Sequence, residues 1–425
     1  MRRLFFVSWG CFWSILAALM MSGCLEPNSG TSSTQDAAAG TIRLKITDQP
    51  ACGYDHVFVT VEKVLIHQRL NAPDADDGWQ EIPLGAPKRI DLLTLTNGAL
   101  ETLGQAGVPA GKYTQMRLIL SPNGASSPWA NSLVPTGGVE VPLTLPSELI
   151  NGIKLNVDIT VAPGQVSDFV MDFDACWSIV RQGNTGAYLL KPVIQVVEIQ
   201  GTEGQRITGF VDPATMAGQP RAHDMQGGIF VIPESSVSAQ RNGVVVKSTP
   251  IEGNGAFVLY PLAPGTYDLV IAATRRATTV VTDVSVNTVS ATTLGSETAR
   301  ISLMDSDIRQ AAGSVSLNGS ALDTGGAVRA AQTLHNGPLI EVAGKSADSL
   351  TGRFKLVLPT AAPMVAKFRA NGNPLSFADD SPSVQQTAAG KYRLVATVPG
   401  QSSQTADIEL TTFLIPDSIF NFVSP

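Results

Sequence analysis

Histidine is scarce in this chain. Its 425 residues hold four: His56, His67, His223 and His335. They are scattered, and no H-x-x-H or H-E-x-x-H spacing sets two on one helical face for a metal. No G-x-S-x-G elbow exposes a nucleophilic serine. Gly344-Lys345-Ser346 ends like a phosphate loop, but the glycine required five positions before Gly344 is Leu339. Cysteine also numbers four, with no C-x-x-C pair, so the spacing of a structural zinc site is missing. Taken together, these absences leave no catalytic or cofactor constellation. The chain is expected not to be an enzyme and to need no cofactor.

Positive charge and tryptophan are lacking too. Without Arg2 and Arg3, which belong to a removable leader, the chain carries 27 basic against 36 acidic residues, a net of -9. Nucleic acid and anionic lipid both need a concentrated basic surface, so neither is an expected partner. The adjacent basic pairs left, Lys88-Arg89 and Arg275-Arg276, read as ordinary solvated surface. Outside the leader the tryptophans are Trp79, Trp129 and Trp177. None falls in the last half of the chain.

What is present begins with an address. Arg2 and Arg3 precede an apolar run over residues 4–21, followed by Met21-Ser22-Gly23-Cys24. A positive start, an apolar middle and small residues before a cut site read as a secretory signal. The junction resembles the lipobox of bacterial lipoproteins, with Met21 where Leu is usual. By that resemblance residues 1–23 are removed and Cys24 is diacylated as the first mature residue. The alternative is an uncleaved anchor, since about 18 mostly apolar residues nearly span a bilayer. Residues 24–40 are small, polar and aperiodic, as a flexible tether is. Leu25 stands where an Asp commonly signals inner-membrane retention, so the analogy favours the outer membrane. The expected location is the bacterial cell envelope, with a membrane reached through N-terminal lipid. An envelope protein or a glycan remains as partner.

With Cys11 in the leader and Cys24 lipidated, Cys52 and Cys176 remain. An even pair in an exported chain points to a disulfide. The loop it closes would be worth roughly 4–5 kcal/mol in the chain-entropy model. Two unbridged buried thiols are the other reading.

After the tether the apolar pattern has period two. In "TIRLKIT" Ile42, Leu44 and Ile46 alternate with Arg43, Lys45 and Thr47. In "IKLNVDITV" Ile153, Leu155, Val157, Ile159 and Val161 share a face. Such alternation means half-buried strands. In "HVFVTVEKVLIH" the parity slips between Val61 and Val64, and a β-bulge would restore it. Helices are few. "NGALETLGQAG" predicts one over residues 99–105 with Asn97 as N-cap, and "DACWSIVRQG" another capped by Asp174 and stopped by Gly183. Polar glycine breaks at 198–205 and 302–313 divide the chain. The expected fold is mostly β: three sandwich-like domains in tandem over residues 41–200, 206–302 and 311–412, one or two short helices in the first, and a C-terminal tail at 413–425.

One joint recurs three times. "PAGKYTQMRL", "APGTYDLVIA" and "AAGKYRLVAT" set Gly111, Gly265 and Gly390 two residues before Tyr113, Tyr267 and Tyr392. Glycine suits the turn that feeds a strand. The tyrosine can pack its ring inward while its hydroxyl reaches a backbone partner, as tyrosine corners do. In the second domain Gly255-Ala256-Phe257 precedes the joint. In the third, Gly352-Arg353-Phe354 does so at a longer spacing.

These residues carry two resemblances. "NGAFVLYPLAPGTYDLVI" resembles the strand-turn-strand core of carboxypeptidase regulatory-like and transthyretin-like domains, which share a fold with starch-binding modules. "TDQPACGYDHVFVTVEKVLIHQ", "RIDLLTLTNGALETLGQAGVPAGKYTQMRLIL" and "MDFDACWSIV" together resemble a bacterial lipoprotein family known as domain of unknown function 4382, from about residue 41 to 198, both cysteines included. That family implies location and fold, not an activity.

Two features are candidate sites. "NAPDADDGW" clusters Asp74, Asp76 and Asp77, carboxylates that a calcium ion could draw together; the full calcium-loop pattern wants a Glu at position 85, which is Gly85. The bland reading is a solvated acidic hairpin tip. The second feature is aromatic: Trp129, in the long loop "GASSPWANS", and Trp79 could stack on a sugar. A loop anchor packed on its own domain is the bland reading of Trp129, and core that of Trp177. The expected function is a lipid-anchored, non-catalytic binding or scaffold module; the alternative is carbohydrate binding through the first domain's loops.

Overall fold

The computed structural model describes residues 38–423 apart from 49–52, 150, 184, 202, 217–221, 224–228, 231–234, 321, 323–325, 371–374, 378–383 and 411–416. The leader, Cys24 and Cys52 lie outside the described residues. The architecture is mostly β, in separate sheets, with short helices at Ala175–Ser178 and Pro213–Met216.

The first lobe is two sheets face to face. In the smaller, Ala39–Asp48 runs parallel to Val166–Phe173 and antiparallel to Glu101–Pro109, and Ile194–Ile199 closes the far edge. The larger sheet is organised by the 14-residue strand Tyr54–His67. Its register slips between Val61 and Lys63, the bulge that the sequence parity required. Each half therefore takes its own partners. The first pairs with Lys88–Asp91 and Ser132–Pro135, the second with Gln80–Ile82 and Gly111–Leu120. Ile42, Leu44 and Ile46 of one sheet meet Val59, Val61 and Val64 of the other in one buried core. Each such side chain removed from water is worth roughly 1.5–3 kcal/mol.

The second and third lobes are sandwiches as well. The second packs Ala256–Leu259, Ile207–Phe210 and Thr292–Leu294 against a five-stranded sheet. The third packs Arg353–Pro359, Ile308–Leu317 and Asp417–Phe422 against a four-stranded sheet. The fifth strand of the second lobe's larger sheet is Met364–Lys367, which runs parallel to Thr279–Val286 although it lies within the sequence of the third lobe. Phe368, Leu375 and Phe377 follow it onto the second lobe's core. The three lobes thus interlock, and residues 38–425 form one unit.

The repeated Gly-x-Tyr is a structural joint in each lobe. Gly111, Gly265 and Gly390 take φ of +150°, +145° and +62°, open to glycine and poor for other residues. The rings of Tyr113, Tyr267 and Tyr392 are buried. Their hydroxyls donate to backbone carbonyls: Tyr113 to Pro109 at 2.8 Å, Tyr267 to Ala263 at 2.5 Å and Tyr392 to Pro359 at 2.6 Å.

Several expectations are corrected. Residues 99–105 are not a helix; Glu101–Pro109 is a strand on the first sheet's edge. Asn97 and Gly98 both have positive φ, so they turn the chain rather than cap a helix. Gly104 answers to sheet packing, since a Cβ there would lie 2.2 Å from the Pro83 carbonyl oxygen. The second helix is shorter than expected. Asp174 does cap it, accepting from the Trp177 N–H, but it ends at Ser178 and β-branched Ile179 and Val180 continue as a strand. The expected tail contains strand Asp417–Phe422, whose Phe420 and Phe422 are buried in the third core. Ala39 and Gly40, assigned to the tether, belong to the first strand.

Candidate functional site

Two places gather side chains that chemistry could use: an outward strip on the first lobe and a buried polar seam between the lobes.

The strip grows from strand Tyr54–His67. Successive side chains on a strand alternate faces, so His56 and Phe58 both point away from the core that holds Val57 and Val59. Their rings stack with centroids 5.5 Å apart. The neighbouring strand brings Arg89, whose guanidinium lies 3.8 Å from the centre of the Phe58 ring. Arg89 is held from three sides. It donates to the Trp129 carbonyl at 3.0 Å, to Ser132 Oγ at 3.0 Å and to Glu140 at 2.6 Å. His56 is fixed by Asp91 at 2.6 Å. Trp129 itself is 43% exposed. Flat rings ordered by carboxylates can offer stacking faces and hydrogen-bond acceptors at once.

The acidic hairpin looks different. Asp74 pairs with Arg117 at 2.6 Å and accepts from Asn151. Asp76 pairs with Arg69, meets His67 Nε2 at 3.0 Å and accepts from the Gly78 N–H. Asp77 is exposed. Two of the three carboxylates are thus drawn toward cations of the protein itself. Among the described residues no group of three or more His, Cys, Asp or Glu could hold a metal ion. Trp79 covers this network. Arg117 sits 4.3 Å from its ring centre, the His67 ring meets it edge-on, and its indole N–H donates to the Pro73 carbonyl. Burial, then the Arg69 charge, hold the His67 pKa below its ordinary value.

The seam joins all three lobes. Lys247, on strand Val244–Pro250 of the second lobe, points into the first. Its Nζ lies 2.6 Å from Asp172 Oδ1, with both side chains 3% exposed, and donates to the Asp48 carbonyl at 3.1 Å. Nearby, Asn97 accepts from Thr249 Oγ and from the Val258 N–H. Between the second and third lobes, the Gln240 side chain donates to the Glu341 carbonyl and accepts from its N–H. Between the first and third, Arg329 lies 4.6 Å from the centre of the Trp177 ring, and a Cβ on Gly344 would sit 2.3 Å from that ring. Trp177 is therefore an interlobe contact rather than core. Asp348 accepts from the Gly183 N–H across the same boundary.

Burial sets the electrostatics here. It pushes the pKa of Asp174 up to about 7, aided by the Asp172 charge. It pushes Glu341 up to about 7 against the pull of Arg329. Asp172 is raised by burial and drawn down by Lys247. Beside the seam, a cleft of about 350 Å³ opens between the first two lobes, lined by Asp172, Gln195, Glu198, Arg241 and Tyr267 among others.

Of the residues singled out from the sequence, the structure brings Asp74, Asp76 and Trp79 into one network and leaves Trp129 about another. Cys176 lies on the Ala175–Ser178 helix, and Cys24 and Cys52 lie outside the described residues. His56, Phe58, Arg89, Asp172 and Lys247 were missed. The signal for the strip was available: the alternation that buries Val57 and Val59 puts an aromatic, Phe58, on the solvent face. No local signal marks Lys247, because its partner lies 75 positions away.

Residues 39–192 match the model of domain of unknown function DUF4382. Among curated proteins none matches the sequence. A cohesin–X-dockerin complex from Acetivibrio cellulolyticus is 20% identical over 24% of this chain, which spans 60% of that chain, with a TM-score of 0.18. A streptococcal ancillary pilin is 9% identical, with 90% of this chain and 99% of that chain covered, at a TM-score of 0.16. The major pilin SpaA of Corynebacterium diphtheriae is 10% identical at the same coverage and TM-score. Scores of this size do not carry a shared arrangement of lobes.

Proposed function

We propose that this chain is a non-catalytic binding or scaffold module of the bacterial cell envelope, tethered through lipid on Cys24. The observation that carries the reading is the interlocking of the lobes. The strand Met364–Lys367 completes the second lobe's sheet from within the third. Buried polar pairs then hold the second lobe to the first and to the third, and Arg329 on Trp177 with the Gly183–Asp348 hydrogen bond holds the first to the third. A body built this way presents its surfaces at fixed angles, which suits a scaffold and not a hinge. The lipid anchor rests on Ser22-Gly23-Cys24 and the outer-membrane location on Leu25. A Cys52–Cys176 disulfide belongs to the same reading. The Ala175 N–H donates to Asp48 Oδ1 at 2.9 Å, which sets the helix carrying Cys176 beside a residue four positions from Cys52. The carboxypeptidase regulatory-like identity of residues 206–302 stands on its sequence resemblance. Metabolic labelling with a fatty acid tests the anchor: Cys24→Ser should lose the label, and equal label would refute it.

A second reading, glycan binding, is favoured by the ordered strip of His56, Phe58 and Arg89, beside which the exposed Trp129 is held through its backbone carbonyl. A glycan array would test it. The wild-type chain should retain a sugar that Trp129→Ala releases, and a blank array would remove the reading. Trp129→Ala should leave stability within about 0.5 kcal/mol, as exposed substitutions do.

A further inference from the structure

We infer that Asp172 and Lys247 condense to an intramolecular amide that covalently joins the first lobe to the second. The pair is placed for it. Lys247 Nζ lies 2.6 Å from Asp172 Oδ1, so the amine already touches the carboxyl group it would join. Both side chains are 3% exposed. Each is carried by a strand, Val166–Phe173 and Val244–Pro250, that is itself hydrogen-bonded into a sheet. A second hydrogen bond, to the Asp48 carbonyl, holds the nitrogen in place. Reactants fixed in contact react as one molecule, which can raise the rate by many orders of magnitude.

Ordinary ion pairs do not condense, because water stabilises both charges and supplies the reverse reaction. Burial changes both conditions. A charge removed from water is costly, and moving the ammonium proton onto the carboxylate leaves a neutral amine and a neutral acid. Burial raises the proton affinity of the Asp172 carboxyl, which favours that transfer. The neutral amine then attacks Cγ of Asp172. A C–N bond forms, a C–O bond breaks, and the hydroxyl leaves as water. One amine proton stays on the amide nitrogen and the other departs in that water. No oxidant, reductant or cofactor enters the balance.

The step needs a group that takes a proton from the nitrogen and gives one to the leaving hydroxyl. Asp174 suits this. It follows Asp172 by two residues of extended chain, and its own φ of -97° and ψ of 91° keep it so. Side chains two apart on extended chain share a face. Its carboxyl feels both Asp172 and Lys247 and is buried, with a pKa pushed up to about 7. A carboxyl poised near neutrality can serve as acid and base in turn. The reaction consequently needs only the folded interface, and it would lock the lobe arrangement that folding has already made.

The test is mass spectrometry of the full chain from its own envelope, denatured, reduced and digested. The wild type should give a branched peptide joining the segments of Asp172 and Lys247, lighter by one water than their sum. Lys247→Arg keeps the charge but offers no condensable amine and should give the two segments apart. Asp174→Asn keeps an N-cap side chain and should fold, with a wild-type circular dichroism spectrum, yet leave the segments unjoined. Separate segments in the wild type would overturn the bond. A bond that still forms in Asp174→Asn would overturn the role given to Asp174.

Discussion

The second and third lobes build the same corner and route the chain around it in different ways. In the second, Ala256–Leu259 is followed by Gly265–Ala273 after five residues, and Tyr267 reaches back to Ala263. In the third, Arg353–Pro359 is separated from Lys391–Thr397 by 31 residues, and Tyr392 reaches back to Pro359. Those residues leave their lobe, add a strand to the neighbour and return. Closing the longer loop costs only about 1.5 kcal/mol more. Burying Val365 alone returns a similar amount. The corner therefore fixes the two strand ends and leaves the connection open to other use. This also explains the longer spacing between Gly352-Arg353-Phe354 and Gly390-Lys391-Tyr392.

The comparison breaks most visibly at the tyrosine rings. Tyr267→Ala and Tyr392→Ala each empty a buried ring, and each should cost about 3–5 kcal/mol. Their reach should differ. Tyr392 anchors the residue at which the chain leaves for the second lobe, so its loss should raise amide exchange in both lobes. Tyr267→Ala should raise exchange in its own lobe and spare the sheet of Lys391–Thr397. Hydrogen-exchange mass spectrometry reads this directly, and equal spread in both variants would end the asymmetry.

The next effect is on pH. The Asp174 and Glu341 pKa values are raised by burial to about 7, whereas unfolded carboxyls titrate near 4. Between those values the folded state holds protons that the unfolded state has released. Stability from this source is thus full below about pH 4 and is lost as pH rises toward 7. A tenfold difference in proton affinity between the two states is worth about 1.4 kcal/mol, so the combined effect is on the order of a few kcal/mol. His67, with its depressed pKa, acts the other way on the acid side. Melting temperatures from pH 5 to pH 8 should fall, and the fall should flatten in Asp174→Asn with Glu341→Gln. An unchanged slope in that double variant would assign it elsewhere.

Val365→Ala follows in size. Val365 packs with Val270, Val280, Leu334 and Ile340 at the boundary of the two lobes. Two carbons lost at about 0.8 kcal/mol each, plus a small cavity, give roughly 1.5–2.5 kcal/mol. The loss should fall on the sheet of Thr279–Val286, which the residue joins from outside its own lobe. Denaturant unfolding followed by exchange would locate it.

Strand faces and corners were legible in the sequence because their causes are local. Ile42, Leu44 and Ile46 alternate within one strand, and each Tyr stands two residues from its Gly. The bulge after Val61 was legible for the same reason. What failed was non-local. Residues 99–105 read as a helix because nothing in that stretch announces the pairing of Glu101–Pro109 with Ala39–Asp48 or the approach of Pro83 to Gly104. Asp417–Phe422 read as a tail because six residues carry little period, and its partner strand begins about 100 positions earlier. At the candidate sites, Asp74 and Asp76 were visible, but Arg117 and Arg69, which hold them, became partners only through folding. Asp172 and Lys247 were invisible for that reason alone.

The smallest predicted effect separates the three corners by their hydroxyls. Tyr→Phe keeps the ring and removes one hydrogen bond, about 0.5–1.5 kcal/mol. The remainder depends on whether water can reach the abandoned carbonyl. Pro109 is exposed, so water can replace the Tyr113 hydroxyl there. Ala263 and Pro359 are half-buried, and their carbonyls are harder to resolvate. Tyr113→Phe should therefore sit at the low end of that range and Tyr267→Phe and Tyr392→Phe nearer the top. Tyr392 carries a further difference. Its partner is 33 residues away, so the bond has no counterpart in the unfolded chain, whereas the four-residue contacts of Tyr113 and Tyr267 can form transiently there. Chemical denaturation of the three variants should thus rank Tyr113→Phe as the mildest and Tyr392→Phe as the most costly. The reverse order would mean that local geometry at each turn, not access to water, sets the worth of the corner.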